Sequence, residues 1–479
     1  MPFTSFAHLV FLSALLAIVK ATGLPSKIYG VNLGSWLVLE PWMLPQEWSN
    51  MGGQQCSDCS KCIASEFAFA QAYPTTVDAI FAKHWSTWFN QTDVNELVAA
   101  GINTVRIPLG YWIVEPLVDR RTEYYPKGGI LHLKRGLRQL RDAGITVILD
   151  HHALPGVQSP NQMFAGRCTK DVQFYTPYNY RRALIWSGVI TAISHLEPSF
   201  SSVASLQAIN EPIMDANQTP FYGQFQKNFV QVVRAVELGL GIYIPGWHSA
   251  NKVPPSTLSA TDISTSLKSL SGATDLFNAE VRQVLREMIP VLFKVAAQLG
   301  VNTNFNKEGL RASTSLLPYC ASTDYHMSTS FMDMTWQYNN PSNPADAKIG
   351  PQTYDNHLYY SFGGVTDPNE EAYMTHICNL DRIEKAGALR NTPLWFGEWS
   401  LATQFGASDE FLHKWADAQK LAYSKSAGWI FWNFKIELSS RSGNTARQWS
   451  YMEGIRRGYF TKDPSKLNNP RVCDPYIRK

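Results

Sequence analysis

Eight short runs rich in apolar residues, separated by stretches with helical spacing, constrain this fold more than any other feature. They lie at residues 27–40, 104–109, 146–150, 203–209, 328–336, 356–362, 394–398 and 428–434. Between them, residues 93–100, 131–143, 180–195, 221–238 and 276–299 read as helices, the first two stopped by Gly101 and Gly144. Strand, helix, strand at this rhythm points to parallel α/β architecture, and eight strands are the number that closes a (β/α)₈ TIM barrel. No repeat, low-complexity linker or break in composition marks a second domain, so one barrel domain over residues 22–479 is expected. The segment at about 239–275, rich in Ser, Thr and Pro, reads as an insertion between strands 4 and 5.

The ends of these strands carry the chemistry. The run 203–209 is apolar, then delivers Asn210 and Glu211 and is stopped by Pro212. The run 394–398 repeats the pattern and ends in Glu398. Catalytic groups of barrel enzymes sit at the C-terminal ends of strands. Two carboxylates on two such ends are what glycoside hydrolysis requires, one as acid and one as nucleophile or base. The other strands end in Asn32, Trp36 and Glu40, in Arg106, in Asp150, His151 and His152, in Asp333 and Trp336, in His357 and Tyr359, and in Trp432. A single buried histidine is more often a hydrogen-bonded core residue than a catalyst; eight polar or aromatic strand ends in succession are not explained by packing.

Composition excludes several other classes. With 45% hydrophobic and 17% charged residues the chain can bury a large core. A formal net charge of +3, without a basic run, gives no case for nucleic acid. Residues 8–19 are largely apolar and Val19-Lys20-Ala21 offers a cleavage site, so residues 1–21 read as a secretory signal, although the leading stretch lacks Lys and Arg. That run is too short for a membrane anchor, and no later stretch could span a bilayer. Seven cysteines fit an oxidising compartment. Cys56, Cys59 and Cys62 stand at CxxCxxC spacing with no His at zinc-ligand spacing, so disulfides are favoured over a metal site. The odd count leaves at least one thiol unpaired. Asn90-Gln-Thr92 and Asn217-Gln-Thr219 are glycosylation sequons.

An ordered set of motifs resembles glycoside hydrolase family 5, and within it the fungal exo-β-1,3-glucanases. It comprises Gly30-Val-Asn-Leu-Gly-Ser-Trp-Leu-Val-Leu-Glu-Pro-Trp-Met43, Val105-Arg-Ile-Pro-Leu-Gly-Tyr-Trp112, the stretch from Asp150 to Gln158, Asn210-Glu-Pro212, the stretch from His357 to Phe362, Gly397-Glu-Trp-Ser400 and Gly428-Trp-Ile-Phe-Trp432. The resemblance implies Glu211 as general acid/base and Glu398 as nucleophile of a retaining enzyme. It places Arg106 beside the nucleophile, holding Glu398 ionised while burial keeps Glu211 protonated. Asn210 would bond the sugar 2-hydroxyl, and His357 and Tyr359 would orient nucleophile and sugar. His152, rather than His151, matches the family histidine, Trp432 would stack under the sugar in the −1 subsite, and Glu40 would close the pocket at the non-reducing end. It also implies a Cys378–Cys473 disulfide. The plainer readings are a buried ion-pair partner for Arg106, a core aromatic for Trp432 and a stabilising contact for Glu40; Asp150 and His151 are taken as structural.

The expected activity is release of glucose from β-1,3-glucan by a secreted enzyme of the extracellular space or cell wall. The alternatives are endo cleavage, β-1,6 linkage or transglycosylation on the same scaffold. A non-catalytic carbohydrate-binding wall protein is the rival from another class, and keeping Glu211, Glu398 and Arg106 together speaks against it. The expected partner is a β-glucan polysaccharide or oligosaccharide, the expected state a monomer, and no metal or organic cofactor is implied. The loop 157–167 and the segment 239–275 depart from the family, which leaves linkage and exo or endo action open. The segment 239–275, with Tyr243, Pro245, Trp247 and His248, would either climb to border the positive subsites or lie against the helices as a surface loop.

Overall fold

The computed structural model describes residues 23–242, 244, 253–304, 326–336 and 339–477. Eight parallel strands close a barrel in sequence order. They are β1 (Ile28–Asn32), β2 (Thr104–Gly110), β3 (Thr146–Ala153), β4 (Val203–Gln207), β5 (Ser328–Met332), β6 (Gln352–His357), β7 (Leu394–Glu398) and β8 (Gly428–Phe431). The barrel closes where β1 meets β8, with Ile28 opposite Gly428 and Val31 opposite Phe431. Strands buried on both faces need apolar side chains outward, against the helices, and a filled interior. Ile28, Ile148, Trp395 and Ile430 form a small apolar cluster of their own. Ile148 lies two residues before Asp150 on the same face of β3, so this cluster floors the barrel beneath the polar interior.

The insertion between β4 and β5 is helical. It contains helices Tyr222–Gly239, Ile263–Ser271 and Ala279–Leu299. Helix Ala279–Leu299 crosses helix Pro177–Leu196, where Gly188 allows Met288 to approach so closely that an added Cβ would meet its Sδ at 2.8 Å. This second layer explains why Pro177–Leu196 is buried along most of its length.

Two expectations need correction. Strand 6 lies at Gln352–His357, upstream of the expected 356–362, so Tyr359 stands in the loop beyond it. Its sequence, Gln-Thr-Tyr-Asp-Asn-His, is fully buried yet polar, and polarity masked it as a strand. Segment 239–275 is not loosely patterned throughout: Asp262 caps helix Ile263–Ser271 by accepting from the Thr265 N–H. That helix sets Ile263, Ser266 and Leu270 against Gly239, the foot of helix Tyr222–Gly239 and the end remote from the strand termini. This part is a helix lying against the helices, while Tyr243, Pro245, Trp247 and His248 lie outside the described residues, as do the signal residues 1–21.

Disulfides join Cys56 to Cys62, Cys59 to Cys168, and Cys378 to Cys473, the last as the resemblance implied. The triplet is thus held in disulfides; Cys320 lies outside the described residues. Among the described residues no helix is long and apolar enough to cross a membrane.

Candidate active site

Arg106 organises the site. It points into the barrel from β2 and is fully buried. Its Nη1 donates to Glu398 Oε1 at 2.8 Å and to Asn32 Oδ1 at 3.0 Å. Nη2 donates to Asn210 Oδ1 at 2.7 Å and lies 3.0 Å from Asp150 Oδ2. Nε donates to Gln207 Oε1 at 2.8 Å, with Asp355 Oδ2 at 3.7 Å. Burial alone would weaken its charge, but Asp150, Glu398 and Asp355 outweigh it and push the guanidinium pKa up. The five donors of a planar guanidinium suit such a many-sided junction, which an ammonium could not serve.

Glu398, the last residue of β7, is 5% exposed. Its Oε1 takes the Arg106 bond, and its Oε2 accepts from the Tyr359 hydroxyl at 2.8 Å. Burial raises its pKa from the ordinary carboxyl value, against the pull of His357 and Arg106. Glu211 stands just beyond β4 with φ of 41°, a left-handed conformation rare outside glycine. His357 Nδ1 lies 2.7 Å from Glu211 Oε1 and 3.6 Å from Glu398 Oε2, and Nε2 lies 3.4 Å from Asp355 Oδ2. Burial disfavours its charge, but Glu398, Asp355 and Glu211 raise its pKa to about 10, so a second buried cation joins the two glutamates. One oxygen from each glutamate and one His357 nitrogen all lie within 4.8 Å of one another. A cation could be held at such spacing, but here the three groups satisfy each other.

The burial expected for Glu211 sits on the other carboxylate. Glu211 has a side chain 20% exposed, against 6% for Glu398.

The remaining expected residues line the same pocket. His152 stacks on Trp432 with ring centroids 5.6 Å apart and planes 8° apart. Its Nδ1 lies 2.5 Å from Asp150 Oδ2, so Asp150, read as structural, couples His152 to Arg106. His151 faces the opposite way, its ring stacked on Trp186 at 3.8 Å, and stays structural. Glu40 is 6% exposed and its Oε2 accepts from Trp42 Nε1 at 3.0 Å. Burial, only partly offset by His152, lifts its pKa to about 7. Tyr359 packs against Trp449, which meets Trp42, so aromatics continue the wall outward to the 77% exposed Phe362. Gln207, Asp355 and Trp449 were missed from sequence. Asp355 stood two residues before His357, on the same strand face, and that periodicity could have found it.

Comparison with known proteins agrees with this geometry. The sequence profile of the cellulase family, glycosyl hydrolase family 5, matches residues 68–262. The glucan endo-1,6-beta-glucosidase B of Emericella nidulans is 29% identical over 460 residues, covering 93% of this chain and 88% of that protein. This chain is a glycosyl hydrolase, similar to glycoside hydrolase family 5 over residues 68–262. It is also 30% identical to the probable glucan 1,3-beta-glucosidase A of Aspergillus fumigatus. That match covers only 45% of this chain and 49% of that protein. In fold it is similar to the rutinosidase from Aspergillus niger, at a TM-score of 0.56 and 19% identity over 91% of this chain and 98% of that one.

Proposed function

We propose that this glycosyl hydrolase is a secreted, retaining β-glucanase that cleaves β-1,6-linked glucan internally. One observation carries the linkage: full-length similarity at 26–29% identity runs to proteins named as endo-1,6-beta-glucosidases from Emericella, Neosartorya and Aspergillus species. The similarity to the probable glucan 1,3-beta-glucosidase A covers only 45% of the chain, so the exo-β-1,3 expectation gives way to its alternative. Glu40 favours the exo mode as a second reading, because a buried acid beside the −1 sugar can cap a non-reducing end. Three disulfides support secretion.

Retention follows from spacing. Retaining enzymes hold their carboxyl groups about 5–5.5 Å apart, inverting ones wider to admit a water; here the nearest oxygens are within 4.8 Å. Glu398 attacks the anomeric carbon while Glu211 gives its proton to the departing glycosidic oxygen. Glu211 then takes a proton from the incoming water, which releases Glu398 and restores the proton to Glu211. Arg106 and Tyr359 hold the two oxygens of Glu398, and His357 is the proton-bearing neighbour of Glu211. Asn210 commits its Oδ1 to Arg106, so its amide N–H end is the one turned to the sugar 2-hydroxyl. Trp432, backed by His152, forms the floor under the −1 sugar.

Product analysis on pustulan beside laminarin tests the reading. A ladder of β-1,6 oligosaccharides from pustulan, with laminarin left largely intact, is expected. Glucose as the sole early product, or faster turnover of laminarin, contradicts it.

A further inference from the structure

The backbone at Glu211 lies in the left-handed region and is held by a neighbouring loop. Its φ of 41° costs on the order of 1–3 kcal/mol in a non-glycine residue and persists only where the surroundings impose it. Beside β3, where the Asn210 N–H donates to the His151 carbonyl at 3.0 Å, the contacts come from the loop between β3 and helix Pro177–Leu196. Ser159 Oγ donates to the Glu211 carbonyl at 2.5 Å. Gln158 Nε2 donates to the carbonyls of Asn210 at 3.1 Å and His152 at 2.7 Å. Tyr175 accepts from the Ile213 N–H at 2.6 Å while its hydroxyl donates to the Gln158 carbonyl at 3.0 Å. The backbone is thus gripped before, at and after Glu211.

The gripping loop is itself strained. Val157 has φ of 63° and Asn161 of 58°, and a β-branched residue is a marked outlier there. Hydrogen bonds from Gln173 and Phe174 N–H to the Gly156 and Val157 carbonyls hold the loop from within, and the Cys59–Cys168 disulfide ties it from outside the barrel. Around it, the Asn161 N–H donates to the Thr169 carbonyl at 2.7 Å and the Phe67 N–H to the Gly166 carbonyl at 3.1 Å. The tie spans 109 residues of sequence and runs from the cysteine-rich N-terminal segment to a loop that touches the acid's own peptide group.

We propose that this loop is a positioning device for Glu211, in which Ser159, Gln158 and Tyr175 aim the carboxyl at the leaving oxygen and the Cys59–Cys168 disulfide keeps them in place. The proposal rests on Glu211 being the general acid. It gives the cysteine-rich segment a purpose beyond stability, since cleaving one remote bond loosens proton delivery without touching the nucleophile.

A positioning role for the acid leaves a signature that general destabilisation does not. Protonation matters for a poor leaving group and hardly for a good one. Phenyl and 2,4-dinitrophenyl β-glucosides differ only in that respect. Ser159→Ala should lower kcat/KM, which reports the glycosylation step, at least about tenfold on the phenyl substrate and less than about threefold on the dinitrophenyl substrate, and Ser159→Thr should restore most of the loss. Cys59→Ser/Cys168→Ser should show the same selective loss at smaller size. If Ser159→Ala fails to fold, Tyr175→Phe removes the neighbouring hydroxyl without changing shape and must show the selective loss. Equal losses on both substrates, or none on either, overturn the proposal. Glu211→Gln separates the two layers: if it too hits both substrates equally, the acid assignment fails; if it is selective and the loop variants are not, only the positioning fails.

Discussion

Replacing Arg106 by methionine tests the hub directly. The substitution keeps most of the side-chain volume and removes one buried cation from contact with Glu398, Asp150 and Asp355. Breaking a buried ion pair by removing one partner costs about 3–5 kcal/mol, because the other charge is left uncompensated. Unfolding entropy is about 2.1 cal/mol/K per residue, or about 1 kcal/mol/K for a chain of this size, so Tm at pH 7 should fall by about 3–5 °C. The loss should depend on pH with a definite sign. In the variant the orphaned carboxylates bind protons more tightly folded than unfolded, so its stability rises as pH falls and the deficit narrows towards pH 4. Calorimetric scans of parent and variant at pH 7 and pH 4.5 read both effects. A variant as stable as the parent at pH 7, or a deficit that widens in acid, would refute the view of Arg106 as the charge balancing this interior.

Two further outcomes follow. Tyr359→Phe deletes the 2.8 Å bond to Glu398 Oε2; a hydrogen bond to a charged group contributes about 1.5–3 kcal/mol, so kcat should fall roughly 10- to 100-fold with folding unchanged, as steady-state kinetics will read. Burial raises the Glu40 pKa from 4.5 to about 7 and that of Glu66 to about 8, so both favour the protonated form when folded. Their contribution to stability is complete below pH 4.5 and is lost as pH rises through 7 and 8; Tm should decline over that window, and Glu40→Gln with Glu66→Gln should flatten the decline.

Residues whose chemistry interrupts an apolar run were legible without a structure. Glu211 and Glu398 announced themselves by ending such runs, while the roles of His152 and Trp432 came from the resemblance to family 5, and their mutual stacking only from the structure. Gln207 and Asp355 did not, because a polar residue within a strand reads as solvent-facing until the closed interior around Arg106 is known. The same interior hid β6, whose side chains are polar because they fill the barrel next to charged groups. Helix Ile263–Ser271 was lost among serines, with Ile263, Leu267 and Leu270 as its few apolar markers. The Cys59–Cys168 bond joins positions too far apart for spacing to reveal.

The central claim is that Glu398 attacks and Glu211 protonates in a retaining, two-step reaction. Proton NMR of the first anomer released, combined with mass mapping after trapping by a 2-deoxy-2-fluoro-glucoside bearing a good leaving group, tests it most directly. The expected result is a β-anomer released first and a fluoro-sugar attached to the peptide containing Glu398. An α-anomer released first, or a label on any other residue, would contradict the account.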